Sequence, residues 1–103
     1  MNYIGKNFLI EKVSALKLSK KYGSPIYCYS YNKIKKNILS LKNNFNSFSP
    51  LLCFSVKSNA NINLLKEIKK LGCGADVVSI GELFAALKAG INVNKIVFSG
   101  VGK

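Results

Sequence analysis

The sequence has no histidine, arginine or tryptophan, only two prolines, and only four acidic residues against sixteen lysines. Each shortage excludes something. Without histidine there is no Cys/His zinc site. The three cysteines, Cys28, Cys53 and Cys73, form no Cys-x-x-Cys pair. Their odd number within apolar stretches points to reduced thiols and hence to a cytoplasmic protein. Residues Met1 to Ile10 lack the long apolar core of a signal peptide. No run approaches the roughly 18 apolar residues of a membrane span, so no membrane partner is expected.

What is present is a chain of 103 residues, 49% hydrophobic and carrying a net charge of +12. That content of apolar side chains is enough for a globular core, so the chain is not of the disordered class. The positive charge raises the possibility of a small basic nucleic-acid-binding protein. Arginine, the preferred residue for forked contacts to phosphates and bases, is missing, however. The lysines are scattered rather than gathered in one run. Twelve asparagines accompany them, which marks a general Lys/Asn/Ile bias. No nucleic-acid partner is expected.

In chain order, Phe8 to Val13 reads as a short strand. Ser14 is placed to cap a helix to about Tyr22, which Gly23 ends, and Ile26 to Tyr29 reads as a second strand. Ser30 caps a helix over about Tyr31 to Phe45, with Ile34, Ile38, Leu41 and Phe45 on one face. Asn46 to Pro50 is a loop. From Leu51 onward the pattern is regular: strand Leu51–Lys57, helix Ile62–Leu71, strand Ala75–Ser79, helix Gly81–Ala89, strand Lys95–Ser99. Alternation of this kind implies an α/β fold with a parallel sheet. The last strand runs into Gly100-Val101-Gly102-Lys103. A complete (β/α)8 barrel needs about 250 residues, so the expectation is the front of a longer protein, inactive and poorly folded by itself.

Two stretches carry candidate chemistry. Leu51 to Asn61 is apolar up to Val56 and then presents Lys57 at the C-terminal end of a strand, where β/α barrels carry their sites. Strand alternation groups Leu52, Phe54 and Val56 on one face and Leu51, Cys53, Ser55 and Lys57 on the other. Lys57 reads equally as a solvated residue at a strand edge. In Gly72 to Leu83, Asp76 lies within an otherwise apolar strand and needs a partner, which Lys57 on a neighbouring strand would supply. Ser79-Ile80-Gly81-Glu82 fits a capping box in which Glu82 reaches back to the N-cap amide. Both acids are therefore open to a purely structural reading.

The segment Val56-Lys57-Ser58-Asn59 resembles the lysine motif of the fold-type III pyridoxal-phosphate enzymes. The run from Gly74 to Leu83, then Ala86-Leu87-Lys88-Ala89-Gly90 and Lys95 to Lys103, is similar to the diaminopimelate decarboxylases. The segment Tyr22-Gly23-Ser24-Pro25-Ile26-Tyr27-Cys28-Tyr29 fits them as well. This resemblance covers nearly the whole chain, with its motifs in order. It implies a pyridoxal 5'-phosphate cofactor held by Lys57 as a Schiff base, with Asp76 and Glu82 in the cofactor pocket. Residues 30–103 would open a (β/α)8 barrel with its first three strands, and residues 1–29 would belong with a separate β domain. The implied reaction is decarboxylation of meso-2,6-diaminopimelate to L-lysine by a homodimer, the substrate being a small amino acid. Two positions depart from the pattern: Ile80, where glycine is common, and Ser58, where alanine is usual. A decarboxylase acting on ornithine, arginine or carboxynorspermidine is the nearest alternative. Alanine racemase fits less well, because Ser58-Asn59-Ala60-Asn61 departs from the continuation after its lysine.

Overall fold

The structure, a computed structural model, describes residues 1–45 and 47–101. Asn46 of the expected loop, and Gly102 and Lys103 of the glycine-rich ending, lie outside the described residues. Two compact units, Met1–Asn37 and Ile38–Lys103, divide the chain.

The first unit is built on an antiparallel sheet of β1 (Asn2–Ile4), β2 (Asn7–Ile10) and β3 (Val13–Ser14). The strand expected over Phe8 to Val13 is therefore two strands. Glu11 and Lys12 turn the chain between them, and Ile10 pairs with Val13. The turn before β2 places Gly5 at a φ of 58°, which glycine adopts without strain. Glu11 takes the same φ of 58° with a full side chain, an uncommon conformation for a non-glycine residue. Its carboxylate accepts hydrogen bonds from the Ser30 hydroxyl at 2.7 Å and from the backbone and side-chain amides of Asn32, both at 3.0 Å. The Ser30 hydroxyl above all, and then the Asn32 amide, hold the Glu11 carboxyl below its ordinary pKa.

Helix α1 (Ala15–Tyr22) ends at Gly23, whose amide donates to the Ser19 carbonyl at 2.8 Å. Ser14 precedes α1 in extended conformation, but its side chain makes no capping bond. Ile26 to Tyr29 is not a strand. A strand needs a ladder partner, and no described segment pairs with this one. Helix α2 (Tyr31–Asn44) begins after Ser30, whose hydroxyl accepts the Lys33 amide at 3.2 Å. The division between the units falls within α2, whose first turn is bonded to Glu11.

The second unit holds a parallel sheet in the order β4 (Cys53–Ser55), β5 (Gly74–Val77) and β6 (Ile96–Phe98). Helices α3 (Ile62–Lys70) and α4 (Ile80–Lys88) are the connections. Each follows a capping side chain. Asn61 accepts the amides of Asn63 at 2.9 Å and Leu64 at 3.4 Å. Ser79 accepts that of Glu82 at 3.2 Å. Asn92 does the same for the short turn before β6, taking the Asn94 amide at 2.9 Å. The Lys42 ammonium donates to the Leu71 carbonyl, one of the acceptors left open at the end of α3.

The core lies on one face of this sheet. Val56, Ala75 and Val77 are fully buried with Leu65 of α3 and Ala86 of α4. Phe54, Ile62, Leu83, Ile96 and Phe98 close around them. Each large aliphatic side chain so buried contributes about 1.5–3 kcal/mol. The opposite face carries the alternate residues Cys53, Ser55, Gly74 and Asp76, none of which joins the core cluster.

Gly74 is required where β5 passes β6. A Cβ there would run into the backbone carbonyl of Lys95 and lie 3.0 Å from the Cys53 sulfur. Gly81, in the first turn of α4, has no such neighbour, the nearest atom being the Ser79 oxygen at 3.9 Å. Gly74→Ala is expected to lower stability by about 1–3 kcal/mol, and Gly81→Ala to raise it by up to about 1 kcal/mol. Urea unfolding of the two variants in the longest soluble form of the protein checks this difference in sign.

Candidate active site

The candidate residues sit where the sheet ends. β4 stops at Ser55, and residues 56–58 wind into a 3₁₀ turn. The strand expected to reach Lys57 is therefore shorter than the apolar run. The ladder closes at the pair Ser55 and Asp76. Beyond it, the chain satisfies its own carbonyls. The Ser58 hydroxyl donates to the Ser55 carbonyl at 2.8 Å, and the Asn59 amide to the Val56 carbonyl at 3.0 Å. Strand alternation does not extend to Lys57, so its face cannot be counted from Ser55.

The turn is fixed from both sides. Val56 is fully buried against α3 and α4 and anchors its start. The Asn59 side chain accepts the Asn61 amide at 2.9 Å, and Asn61 then caps α3. Lys57 lies between these anchors and is exposed. Among the described residues its amine has neither a hydrogen bond nor an ion pair, whereas Lys70 is paired with Glu67 at 2.7 Å. A primary amine on a rigid turn, uncommitted to a carboxylate, is suited to attack a carbonyl carbon once it has lost its proton.

Asp76 is half-buried in β5. Lys57 was expected as its partner, but its contacts are two hydroxyls, Ser55 at the end of β4 and Ser99 just past β6. The Ser55 hydroxyl stands 3.5 Å from Oδ2, and the Ser99 hydroxyl makes a short hydrogen bond to Oδ1. The structure thus brings Asp76 together with Ser55 and Ser99, and not with Lys57 or Glu82. Burial first, and the Asp76 carboxylate second, push the Cys53 thiol above its ordinary pKa. Burial does the same to Cys73. Neither thiol is a thiolate nucleophile near neutral pH.

Glu82 sits at the third position of α4. Its Oε2 accepts the Val78 amide at 2.8 Å, while its own amide donates to Ser79 Oγ at 3.2 Å. The capping box is present with one change: the carboxylate reaches one residue further back than the N-cap. Glu82 thereby ties the end of β5 to the start of α4.

The sequence reading missed Ser99 as a partner of Asp76. The signal was available in the strand period, since residues that alternate out of the core on three neighbouring parallel strands meet on one face. It was obscured because the ladder continues past β6, where the Ser99 amide donates to the Val77 carbonyl at 3.0 Å.

Residues 31–103 match the pyridoxal-binding domain of pyridoxal-dependent decarboxylases. The chain belongs to the pyridoxal-dependent decarboxylase family. Lys57, Asp76 and Glu82 all fall within the matched part. A diaminopimelate decarboxylase of Helicobacter pylori is 49% identical over 86 residues, which are 84% of this chain and 21% of that protein. The crystal structure of a protein from Aquifex aeolicus superposes with a TM-score of 0.92 at 43% identity, covering 99% of this chain and 25% of that one. The Helicobacter pylori diaminopimelate decarboxylase complexed with L-lysine gives a TM-score of 0.78 at 44% identity, over 85% of this chain and 22% of that one. The chain thus spans about a fifth to a quarter of the length of the proteins it resembles. No helix of the described residues is long and apolar enough to cross a membrane.

In this member of the family the Glu82 contact predicts a graded response. Glu82→Ala leaves the Val78 amide without its acceptor and is expected to cost about 1–2 kcal/mol. Glu82→Gln keeps an acceptor oxygen and is expected to cost less than about 1 kcal/mol. Thermal melts of the two variants against the parent check the order.

Proposed function

We propose that this chain forms the front of the cofactor barrel of a diaminopimelate decarboxylase, which removes one carboxyl group of meso-2,6-diaminopimelate to give L-lysine and carbon dioxide. The observation that carries this reading is Lys57, an exposed, uncommitted amine on a fixed turn at the C-terminal end of a parallel strand, in a chain 49% identical to a diaminopimelate decarboxylase. In this reading β4, β5 and β6 are the first three strands of a (β/α)8 barrel within a longer polypeptide. Residues 1–29 associate with a separate β domain, and the whole acts as a cytoplasmic homodimer.

The residues present fit pyridoxal 5'-phosphate. Its carbonyl needs a primary amine, and Lys57 offers one with no competing carboxylate contact among the described residues. When bound, the cofactor supplies an electron sink for the charge left as carbon dioxide departs. Lys57 would hold the cofactor through Nζ. The hydrogen bonds of Ser58, Asn59 and Asn61 fix the backbone from which the Lys57 side chain projects. Asp76 provides a negative charge on the sheet face left open by the helices. Glu82 takes a secondary part in the pocket, because one of its oxygens is committed to the Val78 amide.

The test uses the full-length enzyme. It is expected to release L-lysine and carbon dioxide from meso-2,6-diaminopimelate and to leave ornithine and arginine almost untouched. Lys57→Arg keeps the charge but cannot lose its proton, so turnover is expected to fall by at least about a thousandfold while the melt is preserved. Preferential turnover of ornithine or arginine would replace the substrate assignment. A Lys57→Arg variant of normal activity would remove the lysine from the chemistry.

A further inference from the structure

We propose that Ser99 is the positioning residue for Asp76, holding the carboxylate at one place on the sheet face beside the turn that carries Lys57. This rests on the reading above, which puts Lys57 and Asp76 in the cofactor site. The parallel ladder aligns Ser55 with Asp76 and Asp76 with Val97, so the acid lies on the middle strand between two neighbours. Each neighbour offers one hydroxyl to a different oxygen. The distances separate their importance. Hydroxyl-to-oxygen hydrogen bonds cluster near 2.7–2.8 Å, so the 3.5 Å approach of Ser55 is weak. Ser99 lies well within hydrogen-bond distance of Oδ1, and donation to an ionised oxygen is the stronger kind.

Backbone geometry holds Ser99 there. Its amide bonds the Val77 carbonyl at 3.0 Å. The next residue is Gly100, where a Cβ would collide with the backbone of Val78. Gly74 makes the same close pass against Lys95 at the other end of the strand pair. Two glycines therefore let β6 press against β5 at both ends, which sets the Ser99 hydroxyl over Asp76. Among the described residues no lysine pairs with Asp76, so the hydroxyls alone orient it.

The test is a mutant cycle in the full-length holoenzyme, with Ser99→Ala, Asp76→Asn, the double variant and Ser55→Ala. Ser99→Ala is expected to lower kcat about tenfold, the loss that goes with one hydrogen bond to a charged group. It should also shift the absorption band of the bound cofactor in the same direction as Asp76→Asn. In the Asp76→Asn background it should change kcat by less than about twofold, since its partner is gone. Ser55→Ala should change kcat by less than about threefold. Should Ser99→Ala not fold, Ser99→Thr and Ser99→Val replace it; they match in shape, and only the first keeps the hydroxyl and its activity.

A Ser99→Ala or Ser99→Val enzyme with normal rate and spectrum would overturn the assignment. So would losses from Ser99 and Asp76 that multiply independently. Either result, obtained while Asp76→Asn is impaired and Lys57 carries the cofactor, defeats Ser99 alone. An unimpaired Asp76→Asn enzyme defeats the placement of Asp76 and, with it, the role of Ser99.

Discussion

The parallel pairing of β4, β5 and β6 with one face buried is the constraint on which the rest of this unit depends. Burial of Val56, Ala75 and Val77 beneath α3 and α4 decides which side chains point away from the helices. A slip of one residue in β5 would exchange its faces, sending Asp76 into an apolar core at a cost of several kcal/mol. The register that optimises the core is thus the one that brings Ser55, Asp76 and Ser99 together. Sheet energetics and site geometry are two consequences of one alignment.

Rigidity at the strand ends follows from local hydrogen bonding. Asn61, Ser79 and Asn92 each satisfy amides that open a helix or turn. Such caps are worth about 1 kcal/mol each, modest beside the core, but they act where the candidate residues stand. Lys57 is carried by a turn whose start is buried and whose end leads directly into a capped helix. Glu82 belongs to this set of contacts as much as to any pocket, since its carboxylate closes the turn from β5 to α4. In the first unit Glu11 plays the corresponding part, gathering Ser30 and Asn32 at the start of α2.

The strand–helix–strand–helix–strand order was legible in the sequence because apolar period and glycine stops agree over residues 51–100. Its details were less so. The run from Leu51 to Lys57 is apolar throughout, but a strand extends only as far as its ladder, and that ends at Ser55. Ile26 to Tyr29 has strand composition and no partner among the described residues, so it stays irregular. The first hairpin was missed because its signals are slight: one glycine in a two-residue turn, then a second turn held by Glu11 in a conformation that composition does not reveal. Lys57 stood out through its motif. Asp76 stood out as an acid in an apolar strand, but its contacts with hydroxyls rather than with Lys57 depend on register across three strands, which no single stretch displays.

The proposed function turns on Lys57 as the residue that would hold pyridoxal 5'-phosphate. The most direct measurement is borohydride reduction of the full-length holoenzyme, followed by proteolysis and mass mapping of the pyridoxyl-bearing peptide. The account predicts the label on Lys57, in the peptide containing Val56, Ser58 and Asn59. A label on any other lysine, with Lys57 recovered unmodified, would contradict it.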